Sequence, residues 1–151
     1  MIDIQKIFDE IVKPDVFKKL KLDNCPVGVY CGNRNNELPS LAFMTQTPPV
    51  SIESTQYLQV SQWIEKESVC WSRFDLGLGS ARTIFYALCV DLINASIGCS
   101  NEEQAMLAVK NRYRVWRKMF KKASVSMTEE SYKGLFGELY FLKHYLAKKM
   151  V

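Results

Sequence analysis

One acid, Glu138, stands in the most apolar part of the segment "TEESYKGLFGELYFLKHYLAKKMV", residues 128–151. The segment keeps a helical apolar period, and its exposed arc is Lys133, Gly137, His144 and Lys148. Glu138 therefore shares a side with Gly134, Phe141 and Tyr145. A lone carboxylate on a semi-buried face is either half of an ion pair or a functional group. As a functional group it would help hold a divalent metal, or orient an active site completed elsewhere. Gly134 and Gly137 each cost about 1 kcal/mol relative to Ala in a helix interior. Lacking a Cβ, they let another backbone approach closely, which suits either reading.

The guanidinium that such an acid would pair with lies upstream. Ala105, Val109, Arg112, Trp116 and Met119 recur at spacings of four, three, four and three, which puts Arg112 in the middle of an apolar stripe. An unpaired buried guanidinium is expensive, so Arg112 requires a carboxylate. Two acids qualify: Glu138, the first choice, and Asp91 within "YALCVDLI". The same stretch, "KNRYRVWRKMFKKA", interleaves cations with Tyr113, Trp116 and Phe120. Cations with aromatics can follow a phosphate backbone and stack on bases. Helical spacing assigns Trp116 to the core, leaving Arg114, Arg117, Lys118, Lys121 and Lys122 for nucleic-acid phosphates or an acidic partner.

Other chemistries are poorly provided for. His144 is the single histidine, and Cys25, Cys31, Cys70, Cys89 and Cys99 include no C-x-x-C pair, so a zinc site and a histidine-based nucleophile lack their parts. An odd set of thiols without a secretory leader reads as reduced cysteines in a cytoplasmic protein. No run approaches the ~18 apolar residues of a membrane span. The net charge of +4 is uneven: residues 1–100 carry nine cations and eleven acids, residues 101–151 eleven cations and five acids. The segment 101–151, at +6 against −2 for the rest, is the part suited to nucleic acid.

These side chains need elements to hold them. "IDIQKIFDEIV" places Ile4, Ile7, Phe8 and Ile11 on one helical stripe, and Pro14 opens a second short helical piece, "PDVFKKLKL". The period then changes to two. "VGVYC" and "SLAFMT" flank the turn-rich "GNRNNELP" as a hairpin, and "YLQVSQWIEK" and "VCWSRFDL" pair across Glu67-Ser68. In "YLQVSQWIEK", Leu58, Val60 and Ile64 share one face, Gln59, Ser61 and Glu65 the other. Helical period returns over about 81–97 with Ser80 as N-cap, 101–122 with a Ser100/Glu103 capping box, and 129–149 behind Thr128 with Glu129 and Glu130 in its first turn. The fold class is α+β: an N-terminal helix, an antiparallel sheet of four or five strands, then three C-terminal helices.

The order Phe85…Asp91-Leu92, Arg112…Trp116 and a threonine-capped "TEESYKGLFGELYFL" resembles a bacterial family described as "putative PD-(D/E)XK family members", in the restriction-endonuclease-like superfamily. The likeness covers most of the chain and is most specific from Gly134 to Leu142. It implies that the last helix corresponds to the first helix of a nuclease core, with Glu138 as its acid. It also implies Mg²⁺-dependent hydrolysis of DNA, in restriction or defence against phage, alongside other defence-system proteins. The sequence departs from the superfamily pattern. Its only Pro-Asp is Pro14-Asp15, and no Asp, Glu or Gln is followed two residues later by Lys.

The resulting expectation is a two-part chain: residues 1–125 as an N-terminal α+β domain and 126–151 as the first helix of a truncated nuclease core. It would be inactive alone, would hold no cofactor of its own, and would need Mg²⁺ only in a complete core. The alternative is a non-enzymatic interaction module that binds a partner protein or nucleic acid through its basic helix.

Overall fold

Period-two alternation between residues 28 and 76 produces the sheet, and the helical stripes on either side of it cover one face. The computed structural model describes residues 2–11, 13–34, 38–55, 57–77 and 82–123. Helix α1 (Ile4–Asp9) is followed by β1 (Phe17–Lys19), β2 (Gly28–Asn33), β3 (Pro39–Thr45), β4 (Leu58–Lys66) and β5 (Val69–Leu76), then α2 (Arg82–Ser96) and α3 (Glu102–Ala123). The five strands form one sheet in the order β1-β2-β3-β5-β4, with every neighbour antiparallel. The fold is α+β, with an N-terminal helix, a five-stranded antiparallel sheet and C-terminal helices. The chain divides into two compact units, Met1–Tyr113 and Arg114–Val151. The expected helix at 129–149, its Thr128 cap and the Ser80 cap lie outside the described residues.

Alternation sorts the strand residues onto two faces. Val29, Cys31, Leu41, Phe43, Leu58, Cys70, Phe74 and Leu76 face one way and are buried. The helices close over this face: Phe8 of α1 stacks on Tyr86 at 5.1 Å and meets Phe85 at 6.0 Å, and Tyr113 of α3 sets its ring 5.4 Å from Phe74. The Tyr113 hydroxyl donates to the Glu53 carbonyl oxygen at 2.8 Å, which satisfies its polar end inside the core. Glu102 anchors the start of α3 by accepting the Gln46 N–H at 2.8 and 3.0 Å.

Two local expectations need correction. "PDVFKKLKL" is not helical. Asp15 adopts φ 61° in a turn, its N–H donates to Asn33 O at 2.8 Å, and the chain is drawn onto the sheet as β1. Lys18 and Lys19 suit an edge strand, where charge discourages further pairing. Phe17 reaches across to Gly32, where a Cβ would come within 2.6 Å of its ring, so only glycine allows that approach. The cap of α3 lies one residue on from the expected box: Asn101 Oδ1 accepts Gln104 N–H at 2.8 Å, and Gln104 reaches back to Ser100 N–H at 3.3 Å. Ile64 shares the core-facing parity of Leu58 and Val60, but near the hairpin tip it is 65% exposed.

Candidate functional site

The second sheet face carries a different chemistry. Register places Asp75 opposite Ser40 and Gln59, Arg73 opposite Ala42 and Ser61, and Trp71 opposite Met44 and Trp63. Tyr30 lies opposite Ala42 on the other side, and Phe17 opposite Gly32. Four aromatic side chains and the charged pair Arg73 and Asp75 thus share this surface.

Asp75 is its electrostatic centre and is only 1% exposed. Ser40 Oγ donates to its Oδ1 at 2.5 Å. Arg73 Nε lies 3.0 Å from Oδ1 and 3.1 Å from Oδ2, and an Arg34 terminal nitrogen lies 3.5 Å from Oδ2. A carboxylate this deep must be matched by charge and hydrogen bonds, and both arginines and the serine supply them. Held between two guanidinium groups, it does not offer itself to a further cation.

Arg73 connects that cluster to the rings. Its guanidinium carbon sits 5.1 Å from the Trp63 ring centroid, a cation–π distance. Trp63 stacks on Trp71 at 6.3 Å with 22° between planes, and Tyr30 meets Trp71 edge-on at 5.0 Å. Trp71 Nε1 donates to Glu65 Oε2 at 2.8 Å. Ala42 is too small to fill the space between Tyr30 and Arg73. A hollow of about 280 Å³ results, bounded by Asp15, Phe17, Tyr30, Trp63, Glu65, Trp71 and Arg73.

The residues singled out from sequence distribute as follows. Arg112 donates to Asp91 Oδ2 through Nε at 3.0 Å and a terminal nitrogen at 2.6 Å, each side chain 21% exposed. This ties α3 to α2. Glu138, the other acid weighed for that pair and for catalysis, lies outside the described residues. On α3, Arg114 and Lys118 are exposed and Arg117 is half-buried. Trp116 and Phe120 are buried, with their rings 6.2 Å apart, so these aromatics are not offered for base stacking. Lys121 and Lys122 belong to the last turn of α3, and their side chains lie outside the description. Pro14-Asp15 occupies the turn before β1, not a core strand.

No group of three or more His, Cys, Asp or Glu able to hold a metal ion occurs among the described residues. Among the described residues, the two acids held by arginines are not open to the Mg²⁺ on which the PD-(D/E)XK superfamily generally relies: Asp75 is engaged by Arg73 and Arg34, and Asp91 by Arg112. All five cysteines are free thiols. Among the described residues no helix is long and apolar enough to cross a membrane.

Sequence reasoning did not single out the Asp75 cluster or the aromatic hollow. The signal was present in "VCWSRFDL", where Trp71, Arg73 and Asp75 fall two apart and so on one strand face. A family model described as "putative PD-(D/E)XK family member" matches residues 5–151. No curated protein and no solved structure matches the chain.

Proposed function

The chain belongs to that PD-(D/E)XK family, and on this premise we propose that it is the DNA-engaging, non-catalytic part of a Mg²⁺-dependent nuclease-like protein. It would act in the cytoplasm, in bacterial restriction or defence against phage DNA. The observation that carries the reading is the family match over residues 5–151. Two further features support it. The exposed cations Arg114 and Lys118 stand on a helix whose aromatic residues are buried, which leaves a positive surface for phosphates. The only Pro-Asp is in a turn, and no (D/E)-x-K occurs in the sequence, so the paired ligands of a nuclease metal site are not provided by these residues.

The division of labour is electrostatic. Phosphate contacts by arginine and lysine position a duplex and release counterions, without reading its sequence. Hydrolysis would then fall to residues that supply carboxylates and a lysine beside Mg²⁺. A binding titration on duplex DNA at several salt concentrations tests the reading. Log affinity is expected to fall linearly with log salt, and Arg114→Ala with Lys118→Ala is expected to flatten the slope by about 2. With Mg²⁺ or Mn²⁺ added, the duplex is expected to remain intact. Absence of binding at low salt would sink the DNA-engaging reading, and cleavage by the purified chain would sink the non-catalytic one.

A further inference from the structure

The hollow on the second sheet face is lined by aromatic rings and charged groups that the reading above does not use. We propose that it receives an unpaired purine base of a single-stranded nucleic acid, an inference that rests on the nuclease-like reading and assigns it a second contact with the substrate.

Shape is the first reason. Ala42 forms a floor between Tyr30 and Arg73, and aromatic rings from β1, β2, β4 and β5 stand around it. The volume of about 280 Å³ admits one base with part of its sugar, and far less than a duplex. Trp63, already packed against Trp71 and Arg73, still leaves 39% of its surface exposed, an apolar area open to a further stacking partner. Base-on-aromatic stacking is the usual way proteins hold unpaired strands, and an arginine beside the ring adds to it.

Polar chemistry narrows the occupant. Asp15 and Glu65 at the edge of the hollow accept hydrogen bonds, and Arg73 donates them. A purine edge presents amino or ring N–H donors beside ring-nitrogen or carbonyl acceptors, which matches that mixture. A methylated ammonium ligand is disfavoured, because Arg73 already takes the cation position over Trp63. A free phosphate is disfavoured as well: Arg73 spends its charge on Asp75, and the two carboxylates repel an anion. Lys19 lies opposite Tyr30 on the edge strand and is exposed, placed to meet the backbone of a strand whose base enters here.

The experiment titrates the intact chain with a short fluorescein-labelled oligodeoxyadenylate, single-stranded and annealed to its complement, following anisotropy and tryptophan emission. The single strand is expected to quench emission. Trp63→Ala is expected to lower single-strand affinity by about 5- to 100-fold while circular dichroism stays unchanged. Trp63→Phe, which keeps a ring, is expected to retain most of the affinity. Neither variant is expected to alter duplex binding or its salt slope, which belong to Arg114 and Lys118. A flat duplex salt slope with the Trp63 effect intact would remove the role of α3 and leave this proposal standing. The proposal is overturned if Trp63→Ala and Tyr30→Ala both fold and bind the single strand as wild type does. It is also overturned if Trp63→Ala instead disperses a dimer in sedimentation, which would make the face a protein interface.

Discussion

Two acid–arginine sites in this protein solve the same problem under different conditions. Asp75, on the second sheet face, is 1% exposed and draws on Arg73, Arg34 and Ser40. Asp91, on α2, is 21% exposed and shares Oδ2 with two nitrogens of Arg112. Water still reaches the second pair and carries part of the charge; it does not reach Asp75. At the deeper carboxylate both oxygens are met by donors, as the desolvation cost of a buried charge requires. The comparison also separates roles. The Asp91 pair clamps one helix to another, whereas the Asp75 cluster fixes Arg73 against Trp63 and so shapes the hollow.

The comparison breaks most visibly at Arg73. Arg73→Met removes the donor that meets both oxygens of Asp75, leaving Ser40 and a more distant arginine at a carboxylate with no access to water. A loss of about 3–5 kcal/mol in denaturant unfolding is expected, with an unchanged m-value. A loss under about 1 kcal/mol would mean that Arg34 and Ser40 suffice, and that burial of Asp75 does not require Arg73. At the half-exposed site the cost should be smaller. Asp91→Asn or Arg112→Met is expected to lose about 2 kcal/mol, typical of a charged hydrogen bond that water partly replaces. A double-mutant cycle should return about 1 kcal/mol or more of coupling between them, and strict additivity would contradict the pairing.

How much of this could be read in advance differs between the two sites for a geometric reason. The helical stripe from Ala105 to Met119 placed Arg112 among apolar residues and demanded an acid, and Asp91 was one of two candidates. Helical spacing is local, so the requirement was legible. Choosing between Asp91 and Glu138 needed the packing of separate helices, which no spacing encodes. The sheet was legible as strands and as hairpins, down to the alternation of β4. Its register was not. A two-residue turn at Glu67-Ser68 pairs Lys66 with Val69, and continuing it would set Trp63 opposite Ser72. The irregularity between Ile64 and Lys66 shifts the register by one, so that Trp63 meets Trp71 and the aromatic face forms. Pro14 misled for a related reason: proline fits a helix start and a turn equally, and the Asp15 N–H bond to Asn33, distant in sequence, decides for the turn.

The third test adds the limiting case, ionisable groups with full burial and no opposite charge. Cys31 on β2 and Cys89 on α2 are both 0% exposed. Burial pushes the Cys31 thiol up to about 12. Cys89 is also raised, first by burial and then by the nearby Cys31, against a smaller opposing effect of a backbone hydrogen bond. Where Asp75 recruits arginines to stay charged, these groups stay neutral instead. In the unfolded chain they ionise near 9.0. The folded value of Cys31 being higher, the stability it permits is complete below that pH and declines as pH rises from about 9 toward about 12. The Cys31 thiol contributes a fall approaching about 1.4 kcal/mol per pH unit in that window. Tyrosines and lysines titrate there too, so the readout is a difference: unfolding free energy against pH for wild type and for Cys31→Ala. The variant is expected to be less stable at pH 7, because a cavity opens between sheet and helix, yet to have the shallower alkaline decline. Parallel declines would show that water or a charged group reaches Cys31, and that neutrality is not the route this core takes when no partner is at hand.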